Sequence, residues 1–190
     1  LAKMQATNGV VQIYNSFQEN QTAYIVMEYL EGKTLKAYLA EVEKLSVDEA
    51  KDILHPILIA LKDVHEQGII HRDIAPDNIF LTNDGRVKLL DFGASRFATT
   101  SHSKSLSVII KQGYAPIEQY RSRGDQGPWT DVYSLAATFY KMITGITPAD
   151  SMERVEKEDL KVPSKLGVDI PKNVENALMN ALNIKFEDRT

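Results

Sequence analysis

The chain contains no cysteine, which excludes disulfide cross-links and thiolate zinc sites as sources of stability or chemistry. The same absence fits a reducing compartment, and a cytoplasmic setting is the corresponding expectation. Long hydrophobic runs are also missing. No stretch approaches the roughly 18 apolar residues of a membrane helix, and the first residues lack the pattern of a secretory leader. Basic charge is not in excess: 22 Lys and Arg stand against 26 Asp and Glu, a net charge of −4 with a pI near 5.6. That balance argues against nucleic acid as the main partner. With neither internal repeats nor low-complexity tracts, 190 residues at 43% hydrophobic read as one compact unit able to bury a core.

What the chain does have is His71-Arg72-Asp73-Ile74-Ala75-Pro76-Asp77-Asn78, followed by Asp91-Phe92-Gly93. If each of the seven residues that the two motifs specify were drawn at about five per cent, the joint match would arise at roughly one position in a billion. The two motifs put proton- and metal-handling groups at fixed spacing around a hairpin and read as a phosphoryl-transfer site. Ile79 to Thr82 and Arg86 to Leu90 are apolar-rich runs around Asn83-Asp84-Gly85, and Asp-Gly favours a tight loop. A two-residue Asp84-Gly85 loop pairs Thr82 with Val87, Phe80 with Leu89 and Asn78 with Asp91. Directly opposed side chains share a face about 5 Å apart, which lets Asn78 and Asp91 share one hard cation such as Mg²⁺. In that register Phe80 and Leu89 lie one step further in, either as an apolar floor for a purine ring or as ordinary core.

Elsewhere, Val10 to Phe17 and Ala23 to Leu30 read as a hairpin around 18–21, and Thr34 to Leu39 as a short helix. Ser46-Val47-Asp48-Glu49 has the capping-box form, and apolar residues at helical spacing predict a helix over 47–66 ending near Gly68. Pro128 opens a helix that Gly145 closes, apolar on most faces as befits a buried element. A last helix is predicted over 172–182.

Taken together, these residues resemble a eukaryotic-type (Hanks-type) serine/threonine protein kinase of the bacterial kind. Tyr24-Ile25-Val26-Met27-Glu28-Tyr29-Leu30-Glu31-Gly32 resembles the strand and hinge between the two kinase lobes. Gly113-Tyr114-Ala115-Pro116-Ile117-Glu118 resembles the end of the activation segment, Asp131-Val132-Tyr133-Ser134-Leu135 the start of the central helix, and Glu187-Asp188-Arg189 the arginine motif near the domain's end. The resemblance implies an α+β, mainly α fold: a kinase C-terminal lobe with short β-hairpins and the small lobe largely absent. Residues 1–30 would be a small-lobe remnant leading into a hinge at 28–32, and 33–190 the large lobe without its last helix. The Gly-rich loop and the ATP-binding strand lysine would lie upstream of Leu1, so the isolated chain is expected to be inactive. Its hairpin over 10–30 is expected to lose partners at Val10, Val11, Ile13, Tyr14, Phe17, Ile25 and Val26 and to self-associate through residues 1–30.

The implied activity is ATP- and Mg²⁺-dependent transfer of the γ-phosphate to a serine or threonine hydroxyl of a protein substrate, including the kinase itself. A kinase-like scaffold without chemistry is the alternative. Asp73 would orient and deprotonate the hydroxyl, and Asn78 and Asp91 would hold the metal. Glu28 and Leu30 would present backbone groups to adenine, with Met27 behind it and Phe80 beneath. Arg72 would meet a phosphate on the activation segment or simply pair with an acidic neighbour. Ser and Thr residues crowd 99–107 of that segment, where a hydroxyl-rich loop is either phosphorylated or merely a loop.

Two departures from the family pattern stand out. Most serine/threonine kinases carry a lysine two residues after the catalytic aspartate, where this chain has Ala75. A charge contact near 4 Å at an effective dielectric of 20 is about 4 kcal/mol, roughly a thousandfold in rate. Lys111 stands three residues before Tyr114, where relatives place a threonine, and would either fill the vacant place or be a solvated lysine. Glu118 also sits one residue later than the family's glutamate and would reach Arg189 only if the loop shifts.

Overall fold

The computed structural model describes residues 9–90, 96–97, 110–121 and 124–189. Strands β1 (Ile13–Glu19) and β2 (Thr22–Met27) form an antiparallel hairpin. Its turn is tighter than the sequence suggests. Asn20 and Gln21 both take positive φ (50° and 59°), the two-residue geometry that matches strand twist, so the strands run on to Glu19 and Thr22. β3 (Gly32–Thr34) leads into α1 (Leu35–Val42), capped by the Thr34 side chain. α2 (Val47–Glu66) starts at the predicted capping box, in which Ser46 Oγ accepts from Glu49 N and the Glu49 carboxylate accepts from Ser46 N.

After α2 come β4 (Ile69–Ile70), β5 (Ile79–Thr82), β6 (Val87–Leu89) and β7 (Arg96–Phe97). β3, β5 and β6 form one antiparallel sheet, and β4 pairs with β7 in another. α3 (Ile117–Tyr120), α4 (Pro128–Thr144), α5 (Ser151–Glu156) and α6 (Lys172–Ala181) complete the helices, with 3₁₀ turns at Pro163–Leu166 and Phe186–Asp188. Gly145 ends α4 in the left-handed conformation, as a glycine at that position allows without a Cβ penalty. The core gathers α2, α4 and the inner face of the β5–β6 pair: Leu54, Ile57, Leu61, Ile79, Leu89, Tyr133 and Met142 are all buried. The short α3 and α5 carry too few apolar positions to show a period in the sequence, and neither is predicted there. Among the described residues no helix is long and apolar enough to cross a membrane.

Two expectations are corrected. The β5–β6 register is Ile79 with Leu89, Phe80 with Lys88 and Leu81 with Val87, one residue away from the two-residue loop. The loop has three residues, because the Thr82 hydroxyl accepts from Arg86 N at 2.9 Å and bonds Asp84 at 2.5 Å, with Gly85 at φ 82°. A one-residue slip sends a side chain to the other face. Leu89 therefore leaves the expected floor and joins Ile79 in the core, both with no exposure, while Asn78 opposes Leu90, whose N–H donates to the Asn78 carbonyl at 2.8 Å. The second correction concerns Val10 and Val11, which are 5% and 6% exposed. Residues 9–11 run parallel to β6 through Leu89 N to Gly9 O and Val11 N to Leu89 O. Beyond them Ile13 is half-buried, while Tyr14, Phe17, Ile25 and Val26 are 42–60% exposed as expected.

The contact expected of Glu118 is present. Arg189 reaches it through Nη1 to Oε1 at 2.6 Å and Nη2 to Oε2 at 3.2 Å, and both side chains are buried. Thr130 Oγ1 donates to the same carboxylate, and the guanidinium also donates to the carbonyls of Trp129, Asn183 and Ile184. Removing one member leaves a buried, unpaired charge. Arg189→Met should therefore lower stability by about 3–5 kcal/mol in denaturant melts, and adding Glu118→Gln should recover part of that loss. Unchanged stability in Arg189→Met would contradict the assigned anchor.

Candidate active site

The site is built on the turn between β4 and β5. His71, with no exposure, accepts at Nδ1 from Asp73 N (3.2 Å) and lies 2.9 Å at Nε2 from the Leu90 carbonyl. A backbone N–H can only donate and a carbonyl only accept, so this pair of contacts requires the Nε2–H tautomer. Arg72 has φ 71°, a left-handed conformation that costs a non-glycine residue about 1–3 kcal/mol. That strain is held by Asp131 near the start of α4, whose Oδ2 accepts from His71 N and Oδ1 from Arg72 N, each at 2.8 Å. His65 Nε2 lies 2.8 Å from the same Oδ2. From the other side, Gln119 Nε2 donates to the Arg72 carbonyl at 2.7 Å.

This bracing presents Asp73, whose side chain is 23% exposed. Asn78 Nδ2 donates to Asp73 Oδ2 at 2.8 Å and to the Asp73 carbonyl at 2.7 Å. The amide nitrogen is thereby occupied, and Asn78 Oδ1 remains as an oxygen donor of the kind Mg²⁺ prefers. Among the described residues no three His, Asp or Glu side chains cluster as a metal cage. Asp91, the second predicted metal residue, lies outside the described residues, as do Thr99, Thr100, Ser101, His102, Ser103, Ser105 and Ser107.

Lys111 is not a solvated lysine. Its side chain is 22% exposed and its Nζ stands 2.9 Å from Asp73 Oδ1 and 2.8 Å from Asp77 Oδ1. A cleft of about 420 Å³ opens beside it, lined by Lys36, Ala75, Asp77, Tyr114 and Lys141 among others. Ala75 is 1% exposed.

At the expected hinge, the Glu28 N–H is taken by the Gln12 carbonyl at 2.9 Å, so the backbone group Glu28 can still offer is its carbonyl. Its side chain carries more information than the sequence implies. It accepts from Gln12 N at 2.7 Å and pairs with Lys88 at 2.9 Å, with both charged side chains under 15% exposed. Burial works against its ionised form, but the Lys88 ammonium and the Gln12 N–H outweigh burial and hold the carboxyl below the usual range. Phe80 is half-buried and directly opposite Lys88, and by period two it shares a face with Asn78 and Leu90. Leu90 thus takes the place expected of Leu89. Met27, at the end of β2, is 46% exposed, and Leu30 is half-buried.

The sequence reading passed over Asp131 as a buried carboxylate acceptor, His65, and the Asp77–Lys111 pair. The first was quoted only as part of a landmark, and nothing in local periodicity marks the other two, because the contacts join residues 34 to 66 positions apart.

Comparison with known proteins identifies the family. The protein kinase domain family matches residues 1–185. Serine/threonine-protein kinase PrkC of Bacillus subtilis is 34% identical over 179 residues, covering 90% of this chain and 28% of that protein. Serine/threonine-protein kinase PknL of Mycobacterium tuberculosis is 36% identical over 140 residues, covering 73% and 35% respectively. Sperm motility kinase 2B of Mus musculus is 33% identical over 167 residues, covering 85% and 34%. The chain thus spans roughly a third of the length of these relatives. With the match running across nearly the whole chain and through the braced Asp73 loop, this chain belongs to the protein kinase domain family.

Proposed function

We propose that the protein containing this chain is a serine/threonine kinase that transfers the γ-phosphate of ATP to a protein hydroxyl, with residues 33–190 as its large lobe and residues 1–30 as part of a small lobe. The observation that carries this reading is the juxtaposition of Asp73, Asn78 and Lys111, each within 3 Å of another. Asp73 would accept the hydroxyl proton and, held by Asn78, aim the oxygen for in-line attack. Asn78 Oδ1, together with Asp91, would hold Mg²⁺. When bound, that ion offsets negative charge developing on the phosphate oxygens. Lys111 would supply the positive charge that Ala75 cannot. The Glu28 carbonyl and Leu30 N–H would orient adenine over Phe80 and Leu90, with Met27 behind. The acceptor hydroxyl would approach through the cleft beside Ala75.

In the full-length protein supplied with ATP and Mg²⁺, Asp73→Asn should abolish phosphorylation of itself and of a generic protein substrate while leaving the thermal midpoint within a few degrees. Equal phosphate incorporation by both proteins would overturn the role of Asp73 and favour a scaffold. Lys111→Met should depress kcat by roughly tenfold to a thousandfold, and Ala75→Lys in that background should restore part of it. Normal turnover in Lys111→Met would dismiss Lys111 as the phosphate contact.

The 190-residue chain alone is expected to bind ATP weakly and to show no measurable transfer. It is also expected to self-associate through the β1–β2 hairpin, whose Phe17–Tyr24 stack has ring centroids 5.1 Å apart and lies in the open. Light scattering should show association that falls when Phe17 and Ile25 are both changed to Ser. A monomer at high concentration would contradict this.

A further inference from the structure

We propose that Asp77 is a positioning residue for Lys111, and that the site's phosphate-binding charge is therefore completed only when the segment over 110–121 docks against the Asp73 loop. This rests on the reading of Lys111 as the phosphate contact. An ammonium has three N–H donors. In this structure the ammonium donates to Asp77 at 2.8 Å and stands 2.9 Å from Asp73, which leaves donor capacity for a phosphate oxygen. A lysine carried at position 75 would rise from the braced turn itself. Lys111 instead reaches in from a different part of the chain on a flexible four-carbon stem, whose rotamer freedom opposes any single placement. Asp77, on the Asp73 loop, restricts that freedom. It also gives the ammonium a fixed partner when its contact with Asp73 is exchanged for one with the nucleotide and acceptor.

The backbone beneath Lys111 is held for the same purpose. Its carbonyl accepts from Tyr114 N and Ala115 N at 3.0 Å each, closing a tight turn. Gly113 lies at φ 80° so close to the loop before α5 that a Cβ would sit 2.5 Å from the Pro148 carbonyl oxygen, which makes glycine obligatory there. Ser151 Oγ donates to the Ala115 carbonyl at 2.9 Å. Gln119 meets Arg72, and Glu118 meets Arg189. The segment thus reaches the large lobe's body at several points, and among the described residues it is the Lys111 side chain that meets Asp73 and Asp77.

Asp77 is 41% exposed at its side chain, so Asp77→Asn is not a core change and its fold can be checked by a thermal melt. The test is steady-state kinetics of the full-length protein with ATP, Mg²⁺ and a peptide carrying one serine. Asp77→Asn should lower kcat by about threefold to thirtyfold, and Asp77→Glu should retain more turnover than Asp77→Asn. Asp77→Asn added to Lys111→Met should cost nothing beyond Lys111→Met alone, since the anchored group is gone. Ala75→Lys should restore turnover to Asp77→Asn, because a cation on the braced turn needs no anchor, and simple misfolding would not be repaired that way. Additive losses in the double variant, or a Lys111→Met defect with normal turnover in Asp77→Asn, would overturn the inference while leaving Lys111 as the phosphate contact. Normal turnover in Lys111→Met would instead remove the reading on which the inference rests.

Discussion

Asp131 carries a carboxylate with no solvent exposure, and a buried charge of this kind persists only when its oxygens are fully engaged. Here the partners are His65 and the backbone N–H groups of His71 and Arg72. Its place in the first turn of α4 adds the favourable end of the helix dipole. The same contacts hold Arg72 in a backbone conformation that it would otherwise avoid. Because Asp73 follows directly, the direction of its carboxylate is set by a residue almost sixty positions further along the chain. Without that acceptor, the turn would be free to relax toward ordinary φ values and Asp73 would lose its aim.

The remaining elements extend this bracing outward. His71 ties the turn to Leu90 at the end of β6, and Asn78 ties Asp73 to the start of β5, so the loop is fixed at both strands that leave the site. Gln119 joins it to the segment carrying Lys111, and the Glu118–Arg189 pair joins that segment to the chain's last described turn. On the opposite side the Glu28–Lys88 pair links the segment after β2 to β6. Charge thus organises the rim of the site, while α2 and α4 supply the apolar body against which Ile79 and Leu89 pack. Such pairs do not compete with the core as sources of stability; they choose among the arrangements the core would tolerate.

Ala75, at the position where most serine/threonine kinases carry a lysine, lines the same cleft as Lys111. Position 75 is nearly without exposure, and the cleft beside it is entered by Lys111, whose charge is divided between two carboxylates. A cation brought from another segment is harder to hold than one fixed on the turn, and a second carboxylate on the turn answers that difficulty.

Much of this was legible before any coordinates. The Ser46 capping box, the 3.6-residue spacing after it, and the Pro128 and Gly145 boundaries determined two long helices, because caps and periodicity act within a few residues. The His71 to Asn78 and Asp91 to Gly93 spacings determined the family and the candidate site. The sequence also posed the question of Lys111 by leaving Ala75 where a cation was expected. Only the tertiary structure decided the β5–β6 register, because the Thr82 hydroxyl and the left-handed Gly85 favoured a three-residue loop over the two-residue one that Asp-Gly suggests. A single residue of slip moved Leu89 to the core and put Leu90 beside Phe80. The fold likewise decided that Val10 and Val11 are covered, that Asp131 holds the Asp73 turn, and that Lys111 lies between Asp73 and Asp77. Each of these is a contact between residues distant in the chain. Its energy depends on where other elements place its partner, and local sequence carries no measure of that.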